Sequence, residues 1–496
     1  MTLGVYLLVI AFFSVAFGMS KLPQRVGQVV DTLRTALNVI ADRAADDATK
    51  ERATQRAALG LLRQTVVIAL KGAATIAVAL LPAWGADVLD LVSWEDTMAF
   101  SLRGDVLIIT TVALIGVWFV YRRWGSRDVP ESDRPLDTST PYSQADRLLH
   151  RLAFGPAQIQ TVAAELEDSL FAKDWAPARA ERPVFITSLP RAGTTVLLEA
   201  LHRLPGCAAH TYRDMPFLLA PVLWSRVSSG FRRRSEHRER AHGDGLKINE
   251  DSPEAFEEVL WKKYYPHKYS PARIELWGAD DAKAEFADYF REHMRKIILL
   301  RTPDHLTEGR YLSKNNGNIA RLAAIHAMFP DGSVIIPFRR PEEHAISLWR
   351  QHRNFASQQA AEPFVMAYMA DIGHYEFGAL HRPVAFPGLP KLVDGLSPDT
   401  IDYWLAYWIA AFETLVADSD TIFLSYEAMG AAGPRSLRCL CDRVGIEAGD
   451  EMVSQAAGVF SAPPKSRRAD YVLRADLVER ALTLYDAVSQ RCVLRS

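Results

Sequence analysis

Two regimes of hydrophobic patterning divide the chain. In the first, residues 1–19 (MTLGVYLLVIAFFSVAFGM) carry no charge, and the stretches 61–84 and 105–121 are nearly as apolar. Each is about as long as a helix needs to be to cross a hydrocarbon core of ~30 Å. The pattern therefore predicts an all-α membrane module over 1–124, with transmembrane helices near 3–19, 61–84 and 105–121. Between the first two, Val26, Val30, Leu33, Leu37, Ile40 and Ala44 recur four and three apart. Such a heptad seam suits an amphipathic connector or a homo-oligomeric contact through the module. Residues 125–143, rich in Pro, Ser and Asp, read as a linker. From 144 to 496 the regime changes to short, continuous apolar runs separated by helical periodicity. The runs are 183–187 (PVFIT), 297–300 (IILL), 333–338 (SVIIPF) and 421–425 (TIFLS). Strands buried on both faces look like this, and helices between them imply βαβ units in a parallel sheet. The predicted class is α/β, with ligands held outside the carboxyl ends of the strands.

Charge orients the first module. The 20–60 loop carries Lys21, Arg25, Arg34, Arg43, Lys50, Arg52 and Arg56, and Arg122, Arg123 and Arg127 follow the third run. The loop between the second and third runs is acidic, with Asp87, Asp90, Glu95 and Asp96. The positive-inside rule then puts the N-terminus outside and residues beyond 125 on the cytoplasmic side, as a multi-pass membrane protein. Lys71 falls within the second span and must face other helices or reach the interface. Over the whole chain 57 Lys and Arg nearly balance 59 Asp and Glu, which gives no reason to expect nucleic acid as a partner. The cysteines, Cys207, Cys439, Cys441 and Cys492, show neither a C-x-x-C pair nor zinc spacing and are expected as reduced thiols.

Two segments carry candidate chemistry. In 184–201 (VFITSLPRAGTTVLLEAL) a strand runs into the loop Ser188–Thr195 and then into a helix. Successive N–H groups at a helix start, the hydroxyls of Thr194 and Thr195, and the forked donors of Arg191 suit an oxyanion, and Gly193 permits close approach. Ser188 and Ala192 belong to the same cradle. In 333–349 (SVIIPFRRPEEHAISLW) a strand ends at Phe338, Arg339 and Arg340 stand at its tip, and Pro341 is placed to open a helix. Ser347, eight positions after Arg339, can turn toward the same spot. The phosphate loop G-x-x-x-x-G-K-[ST] is missing, and no D-x-D pair near the loops offers a divalent metal, so a P-loop kinase does not fit.

The two segments closely resemble the 5′-phosphosulfate and 3′-phosphate loops of sulfotransferases that use 3′-phosphoadenosine 5′-phosphosulfate (PAPS), most nearly the bacterial and tyrosylprotein-type branch, over roughly residues 180–450. The resemblance implies that PAPS is the co-substrate and that no metal is needed. It implies that Ser188, Arg191, Ala192, Gly193, Thr194 and Thr195 hold the 5′-phosphosulfate, and that Arg339 and Ser347 hold the 3′-phosphate. In 311–330 (YLSKNNGNIARLAAIHAMFP) it puts Lys314 on the lysine thought to stabilise the transferring sulfuryl group and Asn318 on an asparagine, with Asn316 where the family shows proline. FLSYEAM, 423–429, looks like a Tyr-Glu strand end.

An acceptor hydroxyl or amine needs a general base. The family's glutamate, about twenty residues beyond the arginine, is matched here by Asp214 in HTYRDMPFLL; Glu254 and His242, in HGDGLKINEDSPEAFEEVLW, are the further candidates. Glu257 and Glu258 read as helix N-terminal acids. The aromatic run from Trp261 to Trp277 suits core packing or a stacking surface, and KSRR at 465–468 suits a basic closing loop or a solvated face. The reading is a membrane-anchored sulfotransferase whose acceptor is a small molecule, lipid, glycolipid or saccharide. A non-catalytic nucleotide-binding membrane sensor or scaffold is the alternative.

Overall fold

The computed structural model describes residues 2–20, 67, 70–101, 103, 106, 110, 150, 153–154, 159–228, 238–239, 247–248, 251–254, 256–462 and 468–493. The chain divides into two units, Met1–Asp137 and Thr138–Ser496. In the first, helix α1 covers Thr2–Ser20, residues 70–88 are helical, and a short helix spans Trp94–Ser101. Lys71 Nζ donates to the carbonyl of Ser20 at 2.7 Å, placing a cation on the carbonyl end of α1, where the helix dipole favours it. Among the described residues no helix is long and apolar enough to cross a membrane. The three expected spans thus find no support here. Residues 61–66, 68 and 69 and most of 105–121 lie outside the described residues, as do residues 21–60 with the heptad seam and the 125–143 linker.

The second unit is built on a five-stranded parallel sheet. Its strands are β1 (Val184–Ile186), β2 (Cys207–Ala208), β5 (Arg310–Lys314), β6 (Ser333–Phe338) and β7 (Thr421–Ser425), in the order β2-β5-β1-β6-β7. A small antiparallel pair, β3 (Arg238–Glu239) and β4 (Lys247–Ile248), stands apart from it. Alternation along a strand sends successive side chains to opposite faces. Val184 and Ile186 accordingly join one core with Leu197, Leu198 and Leu201 of helix α2 (Thr194–His202). Phe185 joins the other, with Phe290 and Met294 of α4 (Ala284–Arg301), Leu348 of α5 (Pro341–Ala361) and Trp408 of α6 (Ile401–Val416). Helix α6 is buried nearly all round, which explains its continuous apolar run.

Three of the four expected strands form where the apolar runs placed them. The fourth, 297–300, does not: IILL closes α4. Phe286, Phe290, Met294 and Ile297 are buried at spacings of four, four and three, a helical stripe that continues into Ile298 and overrides the local strand character. The strand in that part of the sheet is β5, RYLSK, buried at every position. Its polar ends disguise it. Arg310 is satisfied by the carbonyls of Arg182, Val444 and Gly445, at 2.8 to 3.0 Å.

Candidate functional site

The carboxyl ends of β1, β5, β6 and β7 converge on a cavity of about 270 Å³. The loop after β1 forms one wall. Gly193 caps α2 with φ 95°, and a Cβ there would come within 2.7 Å of the Tyr426 ring, so only glycine fits on both counts. Arg191 is held at φ 71°, in the left-handed region that costs a non-glycine residue ~1–3 kcal/mol and persists only where the surroundings impose it. Part of what imposes it is His344 of α5, whose Nε2 donates to the Pro190 carbonyl at 2.7 Å. Burial pushes the His344 imidazole down to about 3, and the nearby positive charges of Arg339 and Arg191 act in the same direction. It is therefore a neutral donor at ordinary pH.

The two candidate anion loops meet. Arg191 Nε donates to Ser347 Oγ at 3.3 Å, which joins the first loop to α5 in the second segment. Arg339 stands at the tip of β6, and its guanidinium lies 5.0 Å from the centre of the Tyr426 ring at the end of β7. The Arg340 N–H donates to Glu427 at 3.0 Å, fixing the start of α5 against the helical turn Tyr426–Ala431 that follows β7. Arg191, Gly193, Thr194, Thr195 and Arg339 line the cavity. Ser188 and Ala192 are buried beneath the loop rather than exposed to it, and the Ser188 hydroxyl finds no hydrogen-bond partner among the described residues.

The third wall is the end of β5. Lys314 Nζ lies 3.4 Å from Glu254 Oε1, and Tyr212 Oη donates to Glu254 Oε2 at 2.8 Å. Both members of this ion pair are buried and line the cavity. Glu254 is carried in by its backbone: its N–H donates to the His210 carbonyl and the Tyr212 N–H to the Ser252 carbonyl, so 251–254 is laced to 210–212. Asn316 spans the cavity wall, accepting from Thr194 Oγ1 and donating to Glu376, each at 3.3 Å. It opens a 3-10 turn, Asn316–Ala320, capped by Asn315, whose Oδ1 accepts from the Gly317 N–H at 2.9 Å. Asn318 lies buried behind, donating to Ser313 and accepting from Arg321 Nε at 2.8 Å.

Asp214 does not come to this place. It sits in a 3-10 turn, Tyr212–Asp214, capping the Thr211 N–H at 3.0 Å and bonding His210 Nδ1 at 2.9 Å and Arg301. Burial alone would raise its carboxyl, but Arg301 and His210 hold it far below the usual carboxylate range. Asp214 does not line the cavity and its oxygens are committed to Thr211, His210 and Arg301, so the geometry does not favour this first choice of the sequence as a base. His242 lies outside the described residues. Glu257 and Glu258 do stand at a helix start, as expected, but both are buried there. Glu257 is fully enclosed, accepting from Tyr311 and Ser313 at 2.6 Å, and burial pushes its carboxyl up. Glu258 opens α3 (Glu258–Tyr264) but pairs with buried Arg321.

The aromatic run proves to be core: Trp261, Tyr265 and Trp277 pack with Phe286 and Phe290. Of KSRR only Arg468 is described, and it donates to the Tyr471 carbonyl at 2.6 Å. Sequence reasoning passed over Glu376, Tyr375 and Arg382, which line the far end of the cavity; none stands in a motif, and only the folded path of 374–382 brings them there. Among the described residues no His, Cys, Asp and Glu cluster suits a metal ion.

Residues 183–382 match the model of the Sulfotransferase family. That span contains β1, both anion loops, Glu254, Lys314 and Arg382. No curated protein matches the chain. Among solved structures, it is similar to the sulfotransferase STF1 of Mycobacterium tuberculosis H37Rv, with 17% identity, 68% of this chain and 86% of that one covered, and a TM-score of 0.37. It is also similar to the sulfotransferase STF9 of Mycobacterium avium, with 14% identity, 70% and 87% covered, and a TM-score of 0.39.

Proposed function

We propose that the second unit is a sulfotransferase that moves the sulfuryl group of PAPS to an acceptor hydroxyl or amine. The observation that carries this reading is the Arg191–Ser347 hydrogen bond, which brings together two loops distant in sequence that both carry arginine and hydroxyl donors. On this reading Arg191, Gly193, Thr194 and Thr195 receive the 5′-phosphosulfate, and Arg339 with Ser347 receives the 3′-phosphate. The acceptor oxygen attacks sulfur, the bond from sulfur to the 5′-phosphate oxygen breaks, and the acceptor proton passes to Glu254. The products are a sulfate ester and 3′-phosphoadenosine 5′-phosphate. Lys314 and Arg191 neutralise charge developing on the leaving and equatorial oxygens, the work that preorganised donors do best in a closed site. Tyr212 and Lys314 hold the Glu254 carboxylate in place beforehand, which limits the reorganisation left to the reaction.

The test is thermal unfolding of the full chain with 3′-phosphoadenosine 5′-phosphate. At a hundred times its Kd, a ligand bound only by the folded state adds about 2.7 kcal/mol. A raised midpoint is expected for the wild type, and little or none for Arg191→Ala and Ser347→Ala. An unshifted midpoint in the folded wild type would end the nucleotide reading.

We further propose that the first unit attaches the protein to a membrane, with the second unit on the cytoplasmic side. Supporting this are the uncharged run 1–19 and the exposure of Leu8, Val15 and Met19 on α1. The full chain should float with phospholipid vesicles, and Leu8→Asp combined with Val15→Asp should weaken that association. Equal flotation of variant and wild type would remove α1 from the anchor.

A further inference from the structure

The far end of the cavity is chemically unlike the anion loops. Phe355, Met369, Phe377, Trp404 and Tyr407 give it an apolar, largely aromatic lining. Set against that lining is one guanidinium. Arg382 lies 4.1 Å from the centre of the Tyr375 ring, stacked on its face, and borders the cavity. Among the described residues no carboxylate pairs with it, and its side chain has no hydrogen-bond acceptor.

The loop that presents Arg382 is rigidly built. The Arg382 N–H donates to the Tyr375 carbonyl at 2.8 Å, and His381 Nδ1 donates to the Glu376 carbonyl at 2.7 Å. Burial pushes the His381 imidazole down to about 4, so its neutral Nε2 accepts from Tyr403 Oη at 2.8 Å. Gly378, at φ 70°, bonds His352 Nδ1 through its N–H at 3.1 Å, and a Cβ there would strike Gln359 at 2.2 Å. The next residues run on beside Ile274, exchanging backbone bonds at 2.9 and 3.0 Å. A second cation, Lys262, has its Nζ 5.2 Å from the centre of the Tyr375 ring and is spent on the carbonyls of Ala370 and Asp371. Arg382 has no such commitment. Five forked donors, already stacked and pre-positioned beside apolar surface, are suited to a carboxylate, phosphate or sulfate on a molecule whose body is apolar.

This end adjoins the reacting end through Asn316, which touches Thr194 on one side and Glu376 on the other. We infer that the acceptor is an amphiphilic hydroxy-compound with an apolar, ring-sized body and an anionic group, and that Arg382 binds that anion while the hydroxyl faces Glu254 and Lys314. The inference rests on the sulfotransferase reading for the direction in which the acceptor lies. It narrows the acceptor to one chemical class.

The probes are 3-(4-hydroxyphenyl)propanoate and its methyl ester, which share a body and differ in charge. Each is titrated into the full chain by calorimetry, with and without saturating 3′-phosphoadenosine 5′-phosphate. The carboxylate is expected to bind about tenfold or more tightly than the ester, the usual scale for a hydrogen-bonded charge. In Arg382→Gln the two should become equal, with the ester's affinity unchanged from wild type. Equal binding in the wild type, preference surviving in the variant, or no binding of either probe would overturn the inference. Because 3′-phosphoadenosine 5′-phosphate is titrated separately, its failure to bind would count against the donor site, while a charge preference measured without it would still decide the role of Arg382.

Discussion

Replacing Glu254 by glutamine is expected to lower kcat by about 10²- to 10⁴-fold, the range that one general base supplies. Binding of 3′-phosphoadenosine 5′-phosphate should be unchanged. The substitution is chosen to separate two roles. Glutamine keeps the length and volume of the side chain, and its carbonyl oxygen can still accept from Lys314 or from Tyr212, which now stand 3.4 and 2.8 Å from the two carboxylate oxygens. What it cannot do is take a proton. If Glu254 only positions Lys314, the variant retains most of its rate and the same pH–rate profile. If Glu254 is the base, the acid limb of kcat disappears with the rate. The control is Glu376→Gln, which removes the other cavity carboxylate that is not locked to an arginine; it accepts only from Asn316 among the described contacts. A loss confined to Glu376→Gln would transfer the base to that residue.

The parts of the site legible in the sequence are those whose chemistry is local. The anion loops, Arg191 to Thr195 and Arg339 to Ser347, are each one strand tip and one helix start, so the spacing that reveals them is also the spacing that builds them. Lys314 was legible only through resemblance, because nothing in RYLSK by itself marks a buried strand. The expected strand at 297–300 and the base candidate Asp214 have one thing in common: in both, tertiary packing overrides what a short stretch of sequence suggests. IILL has strand-like residues but belongs to a helical stripe that begins eleven positions earlier, at Phe286. Asp214 lies at a plausible distance beyond Arg191, yet the Thr211 capping turn and the pull of Arg301 rotate it into the core. Glu254 reaches the cavity by a pairing between 210–212 and 251–254 that no local pattern encodes. Arg382 is a lone arginine in sequence; its meaning comes from the tertiary contacts of 374–382.

Arg321→Met is expected to destabilise the second unit by about 3–5 kcal/mol, the usual scale for stranding one member of a buried ion pair. Arg321 is fully buried, paired with Glu258, and lies 4.2 and 4.4 Å from the rings of Trp261 and Trp277. Methionine fills part of the space between the two indoles but leaves Glu258 with Tyr269 at 2.5 Å and Asn315 at 2.6 Å and no countercharge. Burial by itself pushes the Glu258 carboxyl up; the guanidinium overrides it and holds the group below its ordinary value. With Arg321 gone, burial prevails and the folded pKa rises above the unfolded one. A group raised in this way supports the fold below its unfolded pKa and loses that support as the pH climbs, so the deficit should be largest near neutrality and shrink toward about pH 4. Adding Glu258→Gln removes the stranded charge while keeping an acceptor for Tyr269, and should recover much of the loss at neutral pH. Urea denaturation of the two variants across pH is the measurement. A single variant within about 1 kcal/mol of wild type, or a double variant no better than the single, would mean that Glu258 is solvated rather than held. The same pair braces the site: Glu258 fixes Asn315, which caps the turn carrying Asn316, so lost stability and a loosened cavity wall should appear together.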